Sequence, residues 1–372
     1  MTAFAKLPTL TPRKAPLCLI FIAFALSVCA SASNLSTFNA PGAGKGAGQG
    51  TQPVGINASG VVAGNYIDSS NISHGFLRES SGAFTRVNVP GAGTNAGQGT
   101  FLYGINDSGA ATGYYVDAKN ESHGFLRSSE GTITTFEFSG AANMFPININ
   151  SRGAVAGYFL DSNNLFHGFL RAPDGAITPF DVPSAGADIN QGTITGGFDC
   201  LNAKGAIAGN YTDSSGVSHG YVRAPDGAIT TFNAPGAGEN RGQGTSVSGI
   251  NDEGAIVGVY LDPNGVHHGY VRGADGTITT FDVRRAGTGS GQGAIPQNIN
   301  ASGVIVGQYI DERGVNHHFQ RTAGGTITTA SVPGARLGSG QGTLPLSNNA
   351  EGAVTGYYID SDNVRHGFVL AP

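Results

Sequence analysis

The chain has 372 residues, of which 60 are glycine and only 12% are charged, and its formal net charge is −5. Glycine follows no three-residue period and Val, Ile, Phe and Tyr recur at fixed places, which excludes a collagen-like chain and argues against a disordered linker. The negative charge argues against a nucleic-acid partner and against electrostatic membrane binding, because both require a basic surface.

The first 32 residues have the pattern of a secretory signal peptide. Basic residues precede an apolar run, LCLIFIAFALSVCA at residues 17–30, and an A-x-A cleavage motif ends at Ala32. The run is short against the roughly 20 residues that span a bilayer. We therefore predict a secreted or extracellular protein, or a periplasmic one, that begins at Ser33 after cleavage and has no membrane span. A lipoprotein with Cys29 as the lipidated residue is the alternative.

A repeated unit then fills the chain, with a period of 49 residues in most copies. Each copy begins with the asparagine of an N-x-x-G turn. A glycine follows seven residues after this asparagine, an aromatic nine, an aspartate eleven and a histidine seventeen residues after it. The seven turn asparagines are Asn57, Asn106, Asn150, Asn202, Asn251, Asn300 and Asn349.

Each copy predicts four short strands. The first ends in GIN before the N-x-x-G turn, which suits a type I turn followed by a left-handed glycine. The second is the VVAGNYID segment, and a second turn, clearest as DPNG at residues 262–265, leads to the third strand, HGFLR. The fourth is TITTF. Four-stranded units of about 40–50 residues are typical of propeller blades.

The two ends of the chain complement each other. The segment TFNAPGAG occurs at residues 231–238, after a fourth strand, and again at residues 37–44, before the first full copy. The last copy stops after its third strand, so the early fourth strand can complete it. We therefore predict an all-β, seven-bladed β-propeller of four-stranded blades, with residues 33–372 as one domain closed by the N-terminal strand. An open solenoid is the alternative.

The repeat resembles that of the extracellular HAF repeat family of bacterial exported proteins. Its unit, INxxGxVVG…HAF, is similar to INASGVVAG at residues 56–64 with HGF at 74–76, and to INASGVIVG at residues 299–307 with HHF at 317–319. The middle letter of the second motif is glycine in six copies and histidine in one. The resemblance covers all seven units, and it implies an exported repeat protein without implying a catalytic set.

The repeated aspartates and histidines predict structural clusters. In the hairpin of the second and third strands, Tyr260 is expected opposite His268, with Asp262 on the same strand face as Tyr260. One histidine per blade, spread around a ring, cannot converge on a zinc ion, so we predict no metal and no cofactor. The structural set is Asp68, His74, Asp117, His123, Asp161, His167, Asp213, His219, Asp262, His268, Asp311, His317, Asp360 and His366.

The loop between the fourth strand and the next first strand, PGAGxxxGQGT, is the first candidate site, because function on a repeated scaffold often lies in loops. We expect it to open near the mouth of the central channel, where a ring of neutral amides could bind a polar ligand. In the alternative, each glutamine satisfies the backbone of its loop. The glutamines are Gln49, Gln98, Gln191, Gln243, Gln292 and Gln341.

Departures from the repeat are the second candidate. Arg284 and Arg285 replace Pro-Gly in one loop, and Arg241 lies in the loop before it. The first strand of the fourth unit is longer than the others and carries Asp199, which we expect to face the channel. The same strand carries Cys200, the one cysteine outside the signal peptide, and a lone thiol of this kind is typical of a small buried side chain.

These features favour an exported, monomeric, non-catalytic propeller that binds a glycan or an extracellular protein. The sequence lacks G-x-S-x-G and HExxH motifs. One alternative is a polysaccharide lyase or hydrolase using Asp188, Asp199 or Glu239 as acid and base. Another is a structural component of an envelope or matrix assembly. Aromatic platforms would favour glycan binding, and the closest candidates are Phe101, Tyr103, Phe145 and Phe198.

Overall fold

A computed structural model describes residues 34–372, and its regular secondary structure is entirely β-strand. The predicted signal peptide, residues 1–32, lies outside the described residues. Nowhere in residues 34–372 is there a helix long and apolar enough to cross a membrane. The all-β prediction is therefore confirmed.

The 28 strands belong to one sheet. In chain order they are β1 (Leu35–Phe38), β2 (Gly50–Ile56), β3 (Val62–Ile67), β4 (Ser73–Arg78), β5 (Phe84–Val87), β6 (Gly99–Ile105), β7 (Ala111–Val116), β8 (Ser122–Arg127), β9 (Ile133–Phe136), β10 (Asn143–Ile149), β11 (Val155–Leu160), β12 (Phe166–Arg171), β13 (Ile177–Phe180), β14 (Gly192–Thr195), β15 (Ile207–Thr212), β16 (Ser218–Arg223), β17 (Ile229–Phe232), β18 (Gly244–Ile250), β19 (Ile256–Leu261), β20 (His267–Arg272), β21 (Ile278–Phe281), β22 (Gly293–Ile299), β23 (Ile305–Ile310), β24 (Asn316–Arg321), β25 (Ile327–Ala330), β26 (Gly342–Asn348), β27 (Val354–Ile359) and β28 (Arg365–Leu370).

The strands pair antiparallel in runs of four, a pattern that fits seven blades of four strands. Units 1 to 6 are β2–β5, β6–β9, β10–β13, β14–β17, β18–β21 and β22–β25, and unit 7 is β26–β28 with β1. A short parallel bridge joins the third strand of one unit to the first strand of the next at six junctions.

The first strand of the chain pairs with the last. Leu35 lies opposite Leu370 and Phe38 opposite Gly367, which is the pairing that the complementary ends predict. The ring of Phe38 also packs edge-on against Phe76 of unit 1, with ring centroids 6.3 Å apart. Strand β1 therefore completes unit 7 and packs against unit 1.

The seven turn asparagines form a closed circuit of hydrogen bonds. Each Nδ2 donates to the backbone carbonyl of the next unit's asparagine at 2.9–3.2 Å, and Asn349 donates back to Asn57. Each Oδ1 accepts the N–H four residues further on, within its own turn. One buried side chain therefore both closes a turn and joins two units.

Each unit buries the aromatic ring of its third strand against a glycine of the second. Tyr270 is fully buried, and its hydroxyl donates to the carbonyl of Ser246. A Cβ on Gly258 would lie 2.5 Å from the Tyr270 hydroxyl oxygen, so only glycine leaves room for this ring. The equivalent buried rings are Phe76, Phe125, Phe169, Tyr221, Phe319 and Phe368.

Candidate functional site

The repeated histidines and aspartates contact each other within their own units. The register places Tyr260 opposite His268, as predicted. In all seven units the histidine ring stacks on the second-strand aromatic at 4.9 Å, and its Nε2 lies 2.9–3.8 Å from the aspartate carboxylate. These side chains have partners inside the fold, and they connect the second and third strands of their own unit.

Hydrogen bonds also hold the aspartates in the ionised form. Burial raises the pKa of Asp213, but hydrogen bonds from the Val217 amide, from Ser215 and from His219 outweigh it and hold this pKa at about 2. The other six repeat aspartates have pKa values that are likewise lowered.

One of these turns gathers three potential metal ligands. Ligand atoms of Asp117, Glu121 and His123 lie within 4.8 Å of one another. The Asp117 Oδ1 already accepts the amides of Lys119 and Glu121, and Glu137 accepts from His123. Because Asp117 Oδ1 and His123 Nδ1 already have partners and the Glu121 side chain is exposed, we do not place a metal ion there.

The glutamines lie at the junctions between units, and their amides have partners within the protein. Gln98 accepts the Asn95 amide through Oε1 and donates from Nε2 to Asn120 of the unit 2 turn, while its carbonyl accepts the Ser73 amide of unit 1. All six glutamines donate to the turn after the next second strand. At the one junction without a glutamine, Asn143 accepts the Ser122 amide instead.

This placement favours the alternative in which each glutamine satisfies polar groups of its own loop. Gln98 and Gln191 are each only 2% exposed. A buried amide whose donor and acceptor are both used has no group left for a ligand. The glutamines therefore join neighbouring units.

The arginines that depart from the repeat consensus are exposed and do not contact Asp199. Arg284 and Arg285 lie in the loop between units 5 and 6, and Arg241 lies over Gly216 in the preceding loop. Within residues 34–372 no contact joins these arginines to Asp199. The structure thus does not bring the predicted charged residues together in one site.

The first strand of unit 4 departs from the repeat, and this departure does bring predicted site residues together. Strand β14 stops at Thr195, and the chain then bulges before an isolated parallel bridge pairs Asp199 with Gly249 of unit 5. From unit 3, Asn148 Nδ2 donates to the Phe198 carbonyl at 2.6 Å and to Asp199 Oδ1 at 3.1 Å. The prediction that Asp199 faces the channel is correct, because it lines the central cavity.

The bulge carries Phe198 to unit 2, where it joins a run of stacked rings. Phe198 stacks on Tyr103 with centroids 5.7 Å apart, Tyr103 on Tyr114 at 5.5 Å, and Tyr114 on Phe101 at 4.9 Å. The interplanar angles are 15–24°. Two units thus contribute to one aromatic surface, although Phe198 and Tyr103 are far apart in sequence.

Unit 3 extends the same surface. Phe145 meets Tyr114 edge-on at 5.0 Å and stacks on Tyr158 at 5.1 Å, and Tyr158 meets Phe166 at 5.7 Å. Every ring in the group keeps part of its surface exposed. We call this group the aromatic cluster, and it comprises Phe101, Tyr103, Tyr114, Phe145, Tyr158, Phe166 and Phe198.

Four of these rings were predicted as aromatic candidates from the sequence, and three were not. Tyr114 pairs directly with Phe101, and Tyr158 with Phe145, on the adjacent second strands. Side chains at directly opposed positions of two strands share a face, so strand register was the signal that could have found both tyrosines. Phe166 precedes a repeat histidine, where the other units have Ser, Asn, His or Arg, and that departure was visible in the sequence.

The cluster is confined to one part of the ring. At the third position of the first strand, where units 2 and 3 have Phe101 and Phe145, the other five units have Gln52, Ile194, Ser246, Ile295 and Leu344.

Burial keeps the tyrosines of the cluster uncharged and raises the pKa of Asp199 toward neutral pH. Burial raises the pKa of Tyr158 to about 12 and that of Tyr114 further still, so both hydroxyls stay protonated. Burial also raises the pKa of Asp199 to about 6, against the lowering effect of hydrogen bonds from Asn148 and Asn298. The cluster therefore offers neutral rings and hydroxyl donors, while the Asp199 carboxyl group lines the central cavity.

The chain is similar to solved β-propellers. The BP39L lectin from Burkholderia pseudomallei is 11% identical with a TM-score of 0.55, and the match covers 85% of this chain and 93% of the lectin. The S511A mutant of puromycin hydrolase complexed with PGG is 12% identical with a TM-score of 0.52, covering 83% of this chain and 50% of the hydrolase. At this identity the similarity shows the β-propeller fold alone.

TolB from Acinetobacter baumannii is 12% identical with a TM-score of 0.48, covering 78% of this chain and 64% of TolB. The chain thus spans half the length of puromycin hydrolase and under two thirds of TolB. No protein family matches the chain, and no curated protein matches it.

Proposed function

We propose that this β-propeller is an exported protein that binds a glycan through the aromatic cluster without cleaving it. The observation that carries the proposal is the cluster itself, seven partly exposed rings on units 2 to 4. Aromatic faces offer a rigid apolar surface with polar groups at the edge, which suits a sugar ring with an apolar face and hydroxyls at its rim.

Polar side chains at matching strand positions supply the hydrogen-bonding groups that a sugar needs. Gln52 and Ser246 are partly exposed at the third position of their first strands, and Gln297 lies on the first strand of unit 6. The Tyr158 hydroxyl, kept neutral by burial, adds a donor within the cluster. A mainly aromatic surface with a few polar groups is the usual composition of a small-molecule site.

The finer architecture is part of the proposal. The runs of four strands and the closed asparagine circuit support a seven-bladed propeller closed by β1. The motifs at residues 56–64 and 74–76 support membership of the extracellular HAF repeat family. Export would follow removal of residues 1–32 as a signal peptide, and the mature protein, residues 33–372, would act as a monomer.

The comparison with BP39L supports sugar binding at the level of architecture only. That protein is described as a lectin and matches most of this chain. Hydrolysis has less support, because it requires a positioned acid and base. Asp188 and Glu239 are exposed in separate loops, while Asp199 lies in the central cavity.

Glycan binding is tested by screening residues 33–372 against an oligosaccharide array and following each hit by calorimetry. We expect Phe198→Ala and Tyr103→Ala to weaken binding by more than about tenfold, equivalent to ~1.4 kcal/mol. Phe232→Ala is the matched control, because Phe232 is a partly exposed ring that packs edge-on against Tyr270 outside the cluster. This variant should retain wild-type affinity.

Three results would contradict the proposal. An array without hits would exclude a glycan among those tested and favour a protein partner or an assembly role. Equal affinity in wild type, Phe198→Ala and Tyr103→Ala would place the glycan elsewhere. Release of shortened product from a hit would show an enzyme, and Asp188, Asp199 and Glu239 would then be replaced in turn.

A further inference from the structure

We infer that the central cavity is a binding site for a hard cation, with Ca²⁺ as the best fit. The cavity has a volume of about 200 Å³ and is lined by residues at the turn ends of all seven first strands. It adjoins the asparagine circuit, and no ring of the aromatic cluster lines it. The inference is therefore independent of glycan binding.

The cavity is negatively charged. Asp107, Asp199 and Asp252 line it, and no Lys, Arg or His among the described residues does so. Asp107 and Asp252 are exposed, and each accepts a backbone amide of the preceding unit, Ala58 and Ala203 respectively. A cleft lined by one sign of charge concentrates ions of the opposite sign.

Asp199 lacks a cationic partner. Within the described part of the chain no basic nitrogen lies within 4.0 Å of its carboxylate. The Asn148 amide of unit 3 donates to this carboxylate at 3.1 Å, and the Asn298 amide of unit 6 lowers its pKa, so both units act on it. Asp199 is partly buried. A carboxylate withdrawn from water without a counter-charge is unfavourable, and a bound cation would reduce that cost.

Two further oxygen atoms at the cavity have no partner. The Oδ1 atoms of Asn148 and Asn348 are buried and accept no hydrogen bond among residues 34–372, although the two residues are only 4% and 5% exposed. Their Nδ2 atoms are used, by Phe198 and Asp199 in one case and by Val304 in the other. Buried polar atoms are rarely left unpaired, and unpaired ones suggest an ion or water.

The donor set selects the ion class. A carboxylate with amide carbonyl oxygens and room for water suits a hard cation, and Ca²⁺ accepts about six to eight such oxygens in flexible geometry. Mg²⁺ demands a stricter octahedron and gives up its waters reluctantly. Zinc and copper prefer nitrogen or sulfur ligands, and neither His nor Cys lines the cavity within the described residues.

The test uses residues 33–372 freed of metal with EDTA, which is then removed. Calorimetry with CaCl₂ should show one site per chain, and millimolar Ca²⁺ should raise the midpoint of thermal unfolding by several degrees. Mg²⁺ should give a smaller rise. Asp199→Asn should weaken Ca²⁺ binding more than tenfold, and its metal-free form should be at least as stable as metal-free wild type, because the uncompensated charge is gone.

Two control variants show whether the Ca²⁺ effect comes from the central cavity. Asp117→Asn removes a carboxylate of the exposed group with Glu121 and His123, and should leave the Ca²⁺ effect unchanged. Tyr103→Ala alters the aromatic cluster and should also leave it unchanged, which separates this inference from glycan binding. A wild type without a Ca²⁺ effect would overturn the inference, as would an effect that persists in Asp199→Asn or disappears in Asp117→Asn.

Discussion

The Nδ2 of Asn349 donates a 3.0 Å hydrogen bond to the backbone carbonyl of Asn57, across 292 positions of sequence. This bond is chemically the same as the six others in the circuit, so in this bond the junction between units 7 and 1 matches the other junctions.

We therefore expect Asn349→Ala and Asn251→Ala to destabilise the protein equally. Each removes the side-chain donor to the carbonyl of the next asparagine, which keeps only the bond from the glycine of its own turn. The net loss of one such hydrogen bond costs about 0.5–1.5 kcal/mol. The lost turn bonds to Ala353 and Ala255 are also equivalent. Urea unfolding monitored by circular dichroism gives the two free energies. A nearly neutral Asn349→Ala beside a costly Asn251→Ala would show that the circuit is open in solution.

The pairing of β1 with β28 can be tested by a covalent link. Ser36 lies opposite Val369, and opposed residues of antiparallel strands have Cα atoms about 4.5–5.5 Å apart, within disulfide range. We expect Ser36→Cys with Val369→Cys to form an intramolecular disulfide on oxidation and to raise stability by about 2–4 kcal/mol.

Altered mobility on a non-reducing gel reports this link, and each single cysteine variant is a control. Disulfide-linked dimers in the double variant, without the intramolecular link, would contradict the closed ring.

Acid should unfold the protein through its repeat aspartates. Their folded-state pKa values lie below the unfolded value near 3.9, and Asp213 reaches about 2. Their stabilisation is complete above the unfolded pKa and is lost as the pH falls through the folded pKa, so the free energy of unfolding should fall from about pH 5 to pH 2. Asp213→Asn should reduce the proton uptake on unfolding near pH 3 by up to about one proton.

Urea unfolding from pH 2 to pH 7 measures this uptake as the slope of stability against pH. Asp188→Asn is the control, because Asp188 is exposed and lies outside the repeat clusters. An equal change of slope in both variants would mean that the clusters do not carry the effect.

Cys200 should be unreactive until the protein unfolds. It is fully buried, as the sequence predicted, and packs with Ile147, Ala156 and Ile207. Burial raises the pKa of its thiol to about 12, and only the thiolate reacts readily. The rate of labelling by a thiol reagent at pH 8 should therefore follow global unfolding as urea is increased. Fast labelling of the native protein would show that the bulge at unit 4 opens locally.

Most of the strand layout was predictable because the repeat aligns seven copies of each turn, so N-x-x-G and the Asp-turn mark the strand ends. The partners of the glutamines were not predictable. Gln98 contacts Asn95 nearby but also Asn120 and Ser73 on two different units. Period and spacing describe one unit, whereas these contacts depend on how adjacent units are rotated and spaced.

The aromatic cluster shows a second limit of sequence reasoning. Phe198 reaches Tyr103 of unit 2 because the bulge after Thr195 leaves the path of the other first strands. The extra length of this strand was visible in the sequence, but the direction of the bulge was not. That direction follows from the amide of Asn148 holding the Phe198 carbonyl, a contact between residues 50 positions apart.

Because β1 pairs with β28, the fold should not depend on which unit comes first in the chain. The Ala371 amide donates to the Asn34 carbonyl at 2.8 Å, and the Asn34 side chain donates to the Pro372 carbonyl at 3.0 Å, so residues 34 and 372 are neighbours. A short peptide could join them, and new ends could be cut in an exposed turn such as that at Asp262–Asn264. Such a circular permutant should keep the same seven asparagine bonds, with a different pair of units at its start and finish.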